Sequence, residues 1–176
     1  MTDNGIFANL KKMFASGYTA REIKTKLLAD DPGVRYSALG IIDDISPYTK
    51  PSEIDFIDSE IIDILMDNLP REYALRETKK YWSNFPSTLL AIDYILFFFP
   101  KDTDHNWDLL LPFLEKSILA DQCLIIAVLG ASRNIKYTPI IARYLKHDDE
   151  EVRLDAEDAL KRVNDPTHGI SPNADK

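Results

Sequence analysis

A single cysteine, Cys123, stands among 176 residues, so no disulfide can staple the chain internally and a buried core must hold the fold. Histidine is scarce as well. His105, His147 and His168 are scattered, and none has a second histidine three or four positions away to make a zinc-ligand pair. Six glycines are too dispersed to cradle a phosphate, and neither a Gly-x-Ser-x-Gly elbow nor a phosphate loop occurs. No apolar run approaches the ~20 residues of a membrane span. The longest, Leu89 to Phe99, is interrupted by Asp93 and reads as a buried helix. The opening Met1-Thr2-Asp3-Asn4-Gly5 lacks the basic and apolar regions of a secretory signal. These absences lead us to expect a cytoplasmic protein that is not an enzyme and holds no metal or cofactor.

Sustained period-two alternation is also missing, and the one Asn-Gly pair lies at the N-terminus. What the chain does contain is helical punctuation. Thr19-Ala20-Arg21-Glu22 reads as a capping box, in which Thr19 accepts an orphan amide and Glu22 reaches back. Asp31-Pro32 places an N-cap before a proline whose missing N–H is harmless, and Thr138-Pro139 repeats the arrangement. Ser87 and Asp104 are further candidate caps. Apolar residues at helical spacing follow, as in Ile61, Ile62, Leu65, Met66 and Leu69. The fold class is therefore all-α. About nine or ten short helices are predicted, near 4–15, 20–29, 32–45, 53–68, 71–84, 87–99, 106–118, 120–131, 137–146 and 149–163. They form one helical domain over residues 1–163, followed by a mobile tail over 164–176.

Two segments match at a single offset of 118 residues. Asp30, Asp31, Val34, Arg35 and Ala38 coincide with Asp148, Asp149, Val152, Arg153 and Ala156. The offset corresponds to three periods of ~39 residues. Val34, Ala38, Ile42 and Ile45 fall at helical spacing and predict one buried stripe. The motif Asp-Asp-x-x-Val-Arg-x-x-Ala resembles the HEAT repeat, over about 19–46 and 137–163. That resemblance implies a short right-handed superhelix of antiparallel helix pairs, an α-α solenoid. It also implies structural roles for the matched residues: the aspartates brace the interhelix turn, and the alanines allow close helix approach. Arg35 and Arg153 would each reach an aspartate of a neighbouring unit.

Charge carries the functional signal. Acids outnumber bases 29 to 21, a net charge of −8 that repels phosphate backbones, so direct nucleic-acid binding is not expected. The same balance argues against the basic groove of the HEAT-like DNA glycosylases. Between residues 43 and 67 stand eight acids against one base, Lys50. Glu60, Asp63 and Asp67 share one helix face, while Asp43 and Asp44 sit at a helix C-terminus, where negative charge opposes the dipole. A smaller cluster, Asp102, Asp104 and Asp108, surrounds Trp107. Tyrosine is a favoured interface anchor, and Tyr36 is predicted to face away from the buried stripe. Tyr36, Asp43, Asp44, Asp63 and Asp67 are thus the candidate partner-binding residues. In size and acidity the chain resembles bacterial toxin-immunity proteins of contact-dependent growth inhibition. That resemblance implies an inhibitor that occludes the active site of one basic toxin, a nuclease being favoured. The alternative is a HEAT-repeat scaffold or adaptor subunit. No membrane partner is expected.

Overall fold

Capping and burial explain each helix of the computed structural model, which describes residues 18–44, 59–78, 84–100, 104–165 and 167–169. Among the described residues there are eight α-helices, three 3₁₀ turns and no strand. None of these helices is long and apolar enough to cross a membrane. The chain divides into two compact units, the first running through Ala91 and the second beginning at Ile92.

In the first unit, α1 (Ala20–Leu27) begins at the expected capping box. The Thr19 amide donates to Glu22 Oε2 at 2.8 Å, and the Glu22 amide donates to Thr19 Oγ1 at 3.3 Å. Asp31 caps α2 (Pro32–Asp43) through Oδ1, which accepts the amides of Gly33 and Val34 at 2.7 and 3.0 Å. Helix α3 (Ser59–Thr78) buries Ile61, Ile62, Leu65, Met66 and Leu69, the five residues whose spacing marked them. α1 packs against both α2 and α3. Helix α4 (Phe85–Phe98) starts in this unit, its Phe85 ring edge-on to Tyr73 at 5.1 Å.

The structure corrects several expectations. Among the described residues, the helices predicted at 53–68 and 71–84 are joined in one, Ser59–Thr78, which continues through Pro70. A proline removes one hydrogen bond and crowds the carbonyl four residues back, at about 3 kcal/mol. Burial of Leu65, Met66 and Leu69 before Pro70, and of Glu72 with its Arg35 ion pair after it, outweighs that local cost. The predicted stripe of α2 is rotated. Val34 is 38% exposed, and the buried face is Arg35, Ala38, Leu39 and Ile42. Ser87 and Thr138 are not caps but lie inside helices, and Asp104 precedes a turn that starts only at Trp107. The predicted helix at 4–15 lies outside the described residues, as do Ile45, Lys50, Asp102 and three of the eight acids counted between residues 43 and 67, Glu53, Asp55 and Asp58.

The second unit continues α4 from Ile92. A 3₁₀ turn, Trp107–Leu110, leads into α5 (Leu111–Leu114), followed by α6 (Leu119–Ala131). The next helical stretch mixes Ile135–Tyr137 as 3₁₀, α7 (Thr138–Ile141), and Ala142–Lys146 as 3₁₀. Its cap is Asn134, whose Oδ1 accepts the Lys136 amide at 3.0 Å. Last comes α8 (Glu150–Asn164), capped by Asp149. Helices α6 and α8 pack most extensively. Cys123 meets Asp155, Gly130 meets Ala159 and Arg133 meets Arg162, so the two helices run in the same direction. α2, α4, α6 and α8 begin at Pro32, Phe85, Leu119 and Glu150, steps that shorten along the chain instead of keeping one period.

The beginning of the predicted mobile tail is hydrogen-bonded to this unit. Asn164 ends α8, and Asp165 Oδ1 accepts both the amide and the hydroxyl of Thr167. Arg133, in the left-handed region at φ 53°, donates to the carbonyls of Arg162, Asp165 and His168 at 2.8–3.0 Å. His168 Nε2 lies 2.7 Å from Asp158 Oδ1.

Candidate functional site

The five candidate residues all belong to the first unit. Tyr36, on the outer side of α2, is 46% exposed. Asp43 ends α2, and Asp44 is its C-cap, with its amide donating to Gly40 O at 3.0 Å; both side chains are exposed. Asp63 and Asp67 are exposed on α3, one turn apart and in line with Glu60. Directly behind that row, Ile61, Ile62 and Leu65 are fully buried. The first half of α3 is therefore amphipathic in the simplest way: apolar burial turns Glu60, Asp63 and Asp67 outward. The structure brings Glu60, Asp63 and Asp67 into one row and sets Asp43 and Asp44 at the end of a different helix.

Glu60, in this row, is neutralised: it accepts an ion pair from Lys24 on α1. Asp108, from the smaller predicted cluster, is occupied too: its two oxygens accept Lys136 Nζ at 2.8 and 2.6 Å, and Oδ1 accepts the Tyr137 hydroxyl at 2.9 Å. These bonds hold the Asp108 carboxyl below the usual range. Trp107, beside it, is fully buried. Asp108 thus braces the helical segments on which it and Lys136 stand.

Beneath the α1–α2 turn lies a network that the charge pattern did not reveal. Arg35 is 1% exposed and pairs with Glu72 of α3, also 1% exposed. Its Nη1 donates to the carbonyls of Ala29 and Asp30 at 2.7 and 2.8 Å. Asn84 Nδ2 donates to Pro32 O at 2.8 Å, and Arg71 and Asn68 of α3 donate to the carbonyls of Asp30 and Leu27. The expected carboxylate partner of Arg35 is thus a glutamate, and the turn's backbone takes the remaining bonds. Arg153 repeats the arrangement in the second unit, donating to the carbonyls of His147 and Asp148 at 2.7 and 2.9 Å. Among the described residues it has no carboxylate partner.

No family model, no curated protein and no solved structure matches this chain.

Proposed function

We propose that the chain is a small HEAT-like α-solenoid that neutralises one basic partner protein by covering its active site with acidic surface. The partner class we favour is a toxin domain with nuclease activity, whose substrate phosphates the carboxylates would imitate. The observation that carries this reading is the outward row of Asp63 and Asp67 on α3, together with exposed Asp43 and Asp44. Charge of one sign speeds encounter and fixes register, while a half-exposed aromatic such as Tyr36 supplies an anchor. The solenoid part of the reading is supported by the equivalent turns at Arg35 and Arg153 and by the parallel neighbours α6 and α8.

The test is affinity capture of the tagged chain from its own cells at low and high salt. One stoichiometric basic partner, whose activity falls on mixing, supports the reading; several substoichiometric partners would make the chain a scaffold. With the partner in hand, neutralising Asp43, Asp44, Asp63 and Asp67 together should slow association at low salt. Unchanged association would remove the acidic row from the interface.

A further inference from the structure

The second unit contains a cleft of about 330 Å³ between the end of α5 and the turn before α8. Glu115, Arg143, Tyr144, Lys146, His147 and Asp148 line it. Two features of these residues bear on what the cleft could hold. Opposite charges pair at some places in this unit, as in Lys136 with Asp108 and Arg162 with Asp93 and Asp158. Around the cleft two cations and two carboxylates face one opening, and none of the four forms an ion pair among the described residues. In the same lining the rings of Tyr144 and His147 lie nearly parallel, 6.2 Å apart at 23°.

The imidazole is oriented. His147 Nδ1 accepts the Asp149 amide at 3.1 Å, which leaves the ring proton on Nε2 as a donor. The turn behind it is fixed by Arg153 through the His147 and Asp148 carbonyls. Arg143 and Glu115 both act on the Tyr144 phenol, in opposite directions, so charges of both signs stand close to the same ring. A lone anion would meet Glu115 and Asp148, and a lone cation would meet Arg143 and Lys146. A ligand carrying both charges satisfies all four.

We propose that this cleft binds a small zwitterion of the α-amino-acid class. Its carboxylate lies toward Arg143 and Lys146, its ammonium toward Glu115 and Asp148, and a flat side chain rests against Tyr144 and His147. This site is separate from the acidic residues of the first unit and does not depend on the inhibitor reading.

The experiment is an NMR titration of the full chain with L-phenylalanine, N-acetyl-L-phenylalanine and L-phenylalaninamide, reading the amides of residues 146–149. The expected result is a saturable shift with phenylalanine at about millimolar concentration, and at least about tenfold weaker binding of either blocked analogue. Arg143→Gln should erase the discrimination against the amide, and Glu115→Gln that against the N-acetyl form. Both side chains are exposed, so the variants should fold. The proposal is overturned by shifts that do not saturate, by equal affinity for the three probes, or by discrimination that survives both substitutions.

Discussion

Arg35 and Arg153 make the same contact in two different helices. Each Nη1 bonds the carbonyls six and five residues upstream, tying the second helix of a pair to the turn that precedes it. Arg35 adds a buried ion pair with Glu72, while Arg153 is only partly buried. The same residue at the same place therefore carries different weight.

Arg35→Ala should lower the stability of the first unit by about 3–5 kcal/mol, because it strips the guanidinium from a buried carboxylate and from two carbonyls. Arg153→Ala loses hydrogen bonds at a wetter site and should cost about 1–2 kcal/mol. Urea unfolding of the two variants, each followed by amide exchange in its own unit, measures the difference. Equal losses would mean that Glu72 contributes nothing to the first clamp.

Two helical glycines predict opposite outcomes. A Cβ on Gly130 would stand 2.5 Å from Ala159 Cα and 2.9 Å from its carbonyl oxygen, so α6 and α8 would have to separate. Gly130→Ala should destabilise by about 1–3 kcal/mol. At Gly40, inside α2, nothing lies within 4 Å of the added carbon. Gly40→Ala should stabilise by about 0.4–1 kcal/mol by restricting the unfolded chain. Thermal melts of both variants check the signs.

These contrasts mark how far the sequence could be read. Caps at Thr19 and Asp31 are local, formed within three residues of the helix start, and were legible for that reason. Asp63 and Asp67 were legible too, since helical spacing separates them from Ile61, Ile62 and Leu65. Pro70 misled because continuation of α3 depends on tertiary burial that no local signal reports. Val34 misled because a buried arginine took the inward position, and its partner Glu72 lies on another helix. The cleft was invisible for a similar reason: Glu115 is far in sequence from Arg143 to Asp148, and only folding brings them to one opening.

The two carboxylates on Arg162 should respond to acid in opposite senses. Burial pushes the Asp158 carboxyl up, but the His168 hydrogen bond and Arg162 outweigh it and hold its value low. Its contribution to stability is present above the unfolded value near about 3.9 and is lost as pH falls through the lower folded value. For Asp93 burial dominates over Arg162 and raises the value. Its burial penalty is full at neutral pH and relieved as pH falls through that raised value. Urea midpoints measured between about pH 7 and about pH 3 should therefore fall less steeply for Asp158→Asn than for the parent, and more steeply for Asp93→Asn.

Cys123 should be a slow nucleophile despite its partial exposure. Burial, an Asp155 contact and the charges of Asp155, Glu151 and Asp149 push its thiol up to about 12. At about pH 8 only about one thiol in ten thousand is then ionised, against about one in four for an unperturbed cysteine. Iodoacetamide should label the folded chain about a thousandfold more slowly than the urea-unfolded chain. Asp155→Asn removes the nearest charge and the contact together, and should recover part of that factor while the fold is kept. A folded-state rate within about threefold of the unfolded rate would show that the carboxylates of α8 do not govern this thiol.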